Sequence, residues 1–417
     1  MRLISAASIY LGAGVVNKAI PFLLLPVLTH VLTPEEYGFL AIYQVLIAFC
    51  APFVGMSMHI NVSRNFAKVS PCEMAKWIGN LFNVLSVTTV TGVIVFSVYF
   101  FLRGPTFGLP GLWFVSVPIV AGLNMGRTLY MTVLRNQQRP YAFGWFAVSG
   151  SMLDMIASVV LVIAFGLGWQ GRGIGIFGSA VMFGLLAFGF LWCQDLYSFN
   201  VDRKKVQQLA KVCLPLVPHA LGVAVIGLSD RLFVEQMVGK AAVGIYTVGH
   251  NFGMVVSIFV GAFGNAWSPW FYRQMVNITN QGRHRIVRYS YMYFVGIILL
   301  AMLVTVVSQV LLPLVVATEY SSAVQYVLWI AVGYAFRGMY TIVYPYLAYE
   351  ARTNFLGVMT GVAAVLNLVG NYFLISLNGP IGAAQSTALA FAVSFLGTWW
   401  YANRICPMPW GGRIADE

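Results

Sequence analysis

Twelve apolar runs, each long enough to cross a lipid bilayer, follow one another along this 417-residue chain with short polar breaks between them. Six lie near residues 4–31, 37–62, 75–102, 112–134, 141–167 and 173–194. Past a charged connector at about 195–206, six more lie near 207–238, 241–272, 287–316, 322–348, 354–377 and 381–403. A helical crossing needs about 20 apolar residues, and every run meets that length. Charged residues make up only 9% of the chain, against about 25% in a soluble domain. So few charges leave a water-facing surface uncovered, which excludes a soluble enzyme. The expected fold is an all-α polytopic membrane protein, because helices satisfy their backbone groups without water.

The chain has 24 Lys+Arg against 12 Asp+Glu, a net charge of +12. With the spans numbered from the N-terminus, the loop cations collect on one side, among them Arg135, Arg139, Arg203, Lys204, Lys205 and Arg283. The other side holds only Arg103, Arg172 and Lys240. Cytoplasmic loops carry the Lys/Arg excess, so both termini are expected in the cytoplasm, and the basic excess reports topology rather than nucleic-acid binding. Five scattered cysteines, with no Cys-x-x-Cys pair and no histidines at ligand spacing, indicate neither a disulfide framework nor a metal site.

The two halves of the chain are similar in order. Tyr37-Gly38-Phe39-Leu40 in the second span matches Val243-Gly244-Ile245-Tyr246 in the eighth, and Ile174-Gly175-Ile176 matches Ile381-Gly382-Ala383. Residues 128–144 likewise align with 341–357. This implies two lobes, 1–198 and 199–417, of six helices each. Both copies enter the membrane in the same direction, so a pseudo-twofold axis is expected along the membrane normal.

Removing the loop cations leaves Lys18, Arg127, Arg231 and Arg337 inside spans, together with Asp154, Asp230 and, nearer an end, Glu235. A charged side chain at the bilayer centre costs about 2.5–3.5 kcal/mol on insertion scales, so such groups face a bundle interior or a wet cavity. Asn124, Arg127 and Thr128 share one helix face, as do Tyr334, Arg337 and Thr341. Lys18, Arg127 and Arg337 therefore read either as a cationic pathway for an anionic group or as helix-pairing partners of acids such as Asp154. Arg231 and Glu235, four residues apart, are spaced to pair on one helix. Asp154, Asp230 and Arg231 read equally as ion-coupling groups, for a proton or sodium, and as structural pairs. Stripes of small and polar residues at helical spacing add Gln44 and His59 in the second span, and His250 and Asn265 in the eighth, as residues suited to a wet lumen. Close helix packing accounts equally well for the small residues between them. Pro21, Pro26, Pro215 and Pro218 permit bends in the first span of each half.

The run Asn17-Lys18-Ala19-Ile20-Pro21-Phe22-Leu23-Leu24-Leu25-Pro26, followed by Leu32-Thr33-Pro34-Glu35-Glu36-Tyr37-Gly38, resembles the start of Wzx-type O-antigen flippases. These are polysaccharide transporters of the multidrug/oligosaccharidyl-lipid/polysaccharide exporter superfamily. Leu214-Pro215-Leu216-Val217-Pro218-His219, Ser229-Asp230-Arg231-Leu232 and Gly379-Pro380-Ile381-Gly382 are similar to later parts of that family. The resemblance implies twelve helices in two lobes around a central cavity. It also implies flipping of undecaprenyl-pyrophosphate-linked O-antigen repeat units from the cytoplasmic to the periplasmic leaflet of the bacterial inner membrane, by alternating access. The partners it implies are that lipid-linked oligosaccharide, membrane lipids, an O-antigen polymerase and a chain-length regulator. Arg127 and Arg337 lie outside the quoted motifs and rest on the physical argument alone.

Other classes fit less well. The segment 63–76 lacks the Gly-x-x-x-Asp-Arg-x-Gly-Arg-Arg pattern of major-facilitator transporters. A multidrug exporter calls for an acidic pocket, whereas these interior charges are net positive, and a lipid II flippase usually carries two further helices. A polysaccharide polymerase or other membrane enzyme needs a sizeable outward loop, and the longest one expected here, around residues 103–111, is short. The chain is therefore read as a transporter and not an enzyme, with no cofactor.

Overall fold

The computed structural model describes residues 3–411 apart from 67, 200, 201, 215, 277, 351 and 353; the side chains of residues 3–11, 18, 21, 64, 212, 216 and 219 also lie outside the described set. The described chain is helical, without strands. In order the helices are α1 (Leu3–Val31), α2 (Pro34–Gly55), α3 (His59–Asn65), α4 (Pro71–Arg103), α5 (Gly111–Asn136), α6 (Pro140–Val159) and α7 (Gly168–Cys193). Then come α8 (Arg203–Cys213), α9 (Leu216–Met237), α10 (Lys240–Gly253), α11 (Val255–Met275) and α12 (Asn280–Val315). The last three are α13 (Val324–Tyr349), α14 (Asn354–Asn378) and α15 (Pro380–Ile405).

Among the described residues eleven spans are long and apolar enough to cross a membrane, with α10 and α11 forming one of them. A further long helix, α9, carries Asp230, Arg231 and Glu235. Polar caps mark where chain leaves lipid. Thr33 and Glu36 form a reciprocal capping box before α2, Ser70 caps α4, and Thr279 caps α12. The long outer helices leave apolar side chains uncovered, including Phe101, Leu314 and Leu377. Lipid is the medium these surfaces require.

The chain divides into two compact units, 1–224 and 225–417, whose boundary falls inside α9. In the first unit α5 is central, packed against α2, α4, α6 and α7, while α1 lies along α6. Its core includes Tyr43, Leu81, Val117, Leu129, Val133 and Phe146. The Tyr43 hydroxyl and Ser116 Oγ share a hydrogen bond of 2.8 Å that ties α2 to α5. In the second unit α13 holds the corresponding place, against α10, α11, α12 and α15, with α14 along α15. Its core includes Val256, Phe271, Ile286, Ile342 and Phe395. Lipid tails are as apolar as leucine, so helix association in a bilayer relies on close packing and interhelical hydrogen bonds. Gly382 illustrates the packing: a Cβ there would collide with the Leu374 carbonyl of α14.

Three expected spans differ from the helices observed; the eighth, expected over 241–272, divides at Met254 into α10 and α11. The second, expected over 37–62, is broken after Gly55, where Met56 (φ 43°) and Ser57 (φ 54°) adopt left-handed conformations and α3 begins anew at His59. The seventh, expected over 207–238, is preceded by a separate charged helix, α8, capped by Asp202. Lys205 of α8 sits 3.1 Å from Glu73 and 3.2 Å from Asp202, which fastens the connector to the start of α4. The hydrogen bond to Glu73 holds the Lys205 ammonium above its ordinary range, and Lys205 in turn holds the Asp202 carboxyl below its own.

Candidate functional site

Among the described residues each unit carries, within its spans, an arginine on the central helix without an ion pair, Arg127 or Arg337, and one ion pair away from it, Arg172–Asp154 or Arg231–Asp230. Arg127, on α5, donates from Nη2 to the Ala147 carbonyl of α6 at 2.9 Å, and its guanidinium lies 5.4 Å from the Phe183 ring of α7. Its Nε is buried without a hydrogen-bond partner. Gly150 leaves room for this fork, since a Cβ at that position would meet Nη2. Arg337, midway along α13, is exposed, with its guanidinium 5.9 Å from the Tyr334 ring and 5.8 Å from the Phe391 ring of α15. Among the described residues neither arginine has a carboxylate within ion-pair distance. Asp154 is nevertheless near enough to act on Arg127 through space.

The interior acids are taken by other cations. Asp154 of α6 accepts from Arg172 Nη1, which also donates to Ser158 Oγ at 2.7 Å. Arg172 therefore is not the loop cation expected from the sequence. Helix α7 starts at Gly168, which puts Arg172 in its second turn with a nearly buried side chain against α6. Asp230 of α9 is buried, accepting from the Tyr246 hydroxyl at 2.6 Å and from Arg231 Nη1 at 3.2 Å. Arg231 does not use Glu235 as its spacing suggested; it donates instead to Asp230 and to the Gly227 carbonyl.

The remaining candidates separate. His250 of α10 is buried, with Nε2 3.3 Å from the Tyr334 hydroxyl, which links it to the Arg337 helix. Asn124 lies one turn before Arg127 and Thr128, on the partly exposed face of α5. Gln44 and Asn265 are exposed and unbonded among the described residues. His59 is not on the α2 stripe with Gln44, because the Met56–Ser57 break starts α3 there. Lys18 belongs to α1, but its side chain lies outside the described residues. No group of three or more His, Cys, Asp or Glu gathers among the described residues.

One polar cluster escaped sequence reading. Ser229 of α9 donates to Asn367 of α14 at 2.9 Å, Asn371 donates to Ser229 at 3.2 Å, and Ser386 of α15 donates to the Asn367 carbonyl at 2.9 Å. Buried Asn and Ser have no charge to expose them in a sequence scan. Only Asn367 and Asn371, four apart, hinted at a shared face.

Solved structures of membrane transporters share this fold. An inward closed structure of the lipid II flippase MurJ superposes with a TM-score of 0.73 at 13% identity, covering 96% of this chain and 87% of that one. An inward-facing multidrug resistance MATE family transporter of the MOP superfamily gives 0.69 at 13% identity, over 93% and 94%. At that identity the likeness establishes the fold. Residues 3–275 match the family described as polysaccharide biosynthesis protein, and the chain belongs to it. The Lsg locus putative protein 1 of Haemophilus influenzae is 21% identical over 393 residues, 89% of this chain and 92% of that protein.

Proposed function

We propose that this protein flips undecaprenyl-pyrophosphate-linked oligosaccharide repeat units, of the O-antigen type, from the cytoplasmic to the periplasmic leaflet of the bacterial inner membrane. The observation that carries the reading is the charge pairing inside the spans. Asp154 and Asp230 are each bonded to an arginine, Arg172 and Arg231, which leaves Arg127 and Arg337 as cations without a bonded acid on matching central helices. An exposed arginine at mid-span is too costly to face lipid, so it faces water and whatever anion passes. A pyrophosphate crossing low dielectric needs such groups, and a guanidinium fork matches its geometry. Membership of the polysaccharide biosynthesis family supports a saccharide cargo. Gln44 and Asn124 in the first unit and His250 and Asn265 in the second are further polar residues proposed to contact the cargo, as is Lys18 on the sequence argument alone, and the cargo crosses by alternating access.

Asp230 is the group proposed for ion coupling, being a buried acid that holds both Tyr246 and Arg231. The deciding experiment is complementation of flippase-deficient bacteria with defined repeat units, read as surface polysaccharide. Restoration supports the proposal. A properly inserted protein that restores none of a panel of repeat units would refute it.

A further inference from the structure

An aromatic groove on the second unit lies outside the arginine sites described above. It has a volume of about 610 Å³ and runs between the end of α11 and the start of α12. Phe263, Trp267 and Trp270 form one wall and Tyr289, Met292 and Tyr293 the other. Ring contacts join these walls at the floor of the groove: Phe263 stacks on Tyr293 with centroids 4.2 Å apart, and Trp270 lies tilted against Tyr289 at 5.5 Å. At the polar end stands Arg273, exposed, whose Nε donates to the Pro269 carbonyl at 3.2 Å. That bond holds the stem and leaves both Nη groups available. No acid is bonded to it among the described residues. On α12 the exposed Arg285 precedes Tyr289 by one turn, so a second cation stands at the same end.

We infer that this groove binds an anionic phospholipid of the surrounding bilayer. The order of its parts is the order of a lipid: a guanidinium where the phosphate lies, indole and phenol rings at the depth of the interface, then Phe263 and Met292 toward the acyl chains. Trp and Tyr favour the interfacial zone, and basic pockets between membrane helices suit anionic headgroups. The arginine fork supplies two parallel donors to phosphate oxygens. This binding requires only that the chain sit in a bilayer and is independent of the transported substrate.

Native mass spectrometry of the full-length protein released from nanodiscs of equal phosphatidylglycerol and phosphatidylcholine tests it. The protein should retain phosphatidylglycerol in preference, and Arg273→Gln should cut that preference about tenfold, the size of one charged hydrogen bond. Arg103→Gln, a change at an exposed cation ending α4, should leave it unchanged. Trp270→Ala should weaken retention of both lipids. Equal retention of the two lipids by the unmodified protein, or an unchanged preference in R273Q, overturns the inference. Displacement of phosphatidylglycerol by stoichiometric undecaprenyl phosphate would overturn the assignment to phospholipid and make the groove a carrier-lipid site.

Discussion

Arg127 and Arg337 lie on the central helices of the two units, about one turn out of register, and their surroundings differ. Each projects from the central helix, α5 or α13, and each guanidinium lies near a phenylalanine of a neighbouring helix, Phe183 in α7 or Phe391 in α15. Arg127 is tied by a hydrogen bond to α6 and is partly buried, whereas Arg337 is exposed and has no such bond among the described residues. The acids differ too. Asp154 of α6 pairs with Arg172 of α7, while Asp230 of α9 accepts from the Tyr246 hydroxyl of α10 and pairs with its neighbour Arg231. The cation and its aromatic neighbour are the shared element, and the counter-charge is arranged separately in each unit. A cation required for an anionic cargo would give this pattern, since helix pairing alone would keep acid and base together.

The largest expected difference concerns the acids. Asp230→Ala leaves Arg231 buried without its partner and should destabilise the protein by about 3–5 kcal/mol, measured as thermal unfolding in detergent. Replacing both residues, as D230L/R231L, should recover most of that loss, because an apolar pair of similar volume has no charge to desolvate. Asp154→Ala should cost less, about 1–3 kcal/mol, because Arg172 keeps its bond to Ser158 and Asp154 is 22% exposed. Equal losses at the two positions would erase this distinction between the units.

The arginines come next. Arg127→Gln should lower stability by about 1–2 kcal/mol through the lost bond to Ala147 and also lower surface polysaccharide in the complementation assay. Arg337→Gln should lower surface polysaccharide to a similar extent while shifting stability by no more than about 0.5 kcal/mol, as expected for an exposed side chain. If R337Q unfolds as readily as R127Q, Arg337 is a structural residue and the pathway reading fails on that side.

Much of this arrangement was legible in the sequence. Spans are set by apolar length, which hydropathy measures directly, and Arg127 and Arg337 stood out because charge inside such a run is costly. Arg172 was misread for a related reason. It sits where the Gly168-Trp169-Gln170-Gly171 segment lowers the apolar signal, so the run seemed to begin after it, and its partner Asp154 lies on another helix where spacing rules do not reach. The His59 stripe failed because Met56 and Ser57, rather than a glycine, take the left-handed conformations that end α2. Methionine carries no turn signal and serine only a weak one. The Ser229–Asn367–Asn371 cluster depends wholly on which helices meet, a property of tertiary packing.

The smallest effect separates the aromatic neighbours. A cation over an aromatic face is worth about 0.5–2 kcal/mol, depending on how far it is desolvated. Phe391 is only partly buried, so Phe391→Leu should remove mainly the contact with Arg337 and slow transport by a factor of about five or less, with little change in stability. Phe183 is 5% exposed and packs edge-on against Phe146, so Phe183→Leu removes core contacts as well and should cost about 1 kcal/mol or more in stability besides its effect on Arg127. Leucine keeps the apolar volume roughly constant but removes the ring face, so F391L reports on the cation's local surroundings more directly than deletion of the arginine. A transport defect in F391L with unchanged thermal unfolding would mean that the ring positions Arg337 for an anion. Unchanged transport would reduce Phe391 to packing and leave Arg337 as a cation acting without a fixed orientation.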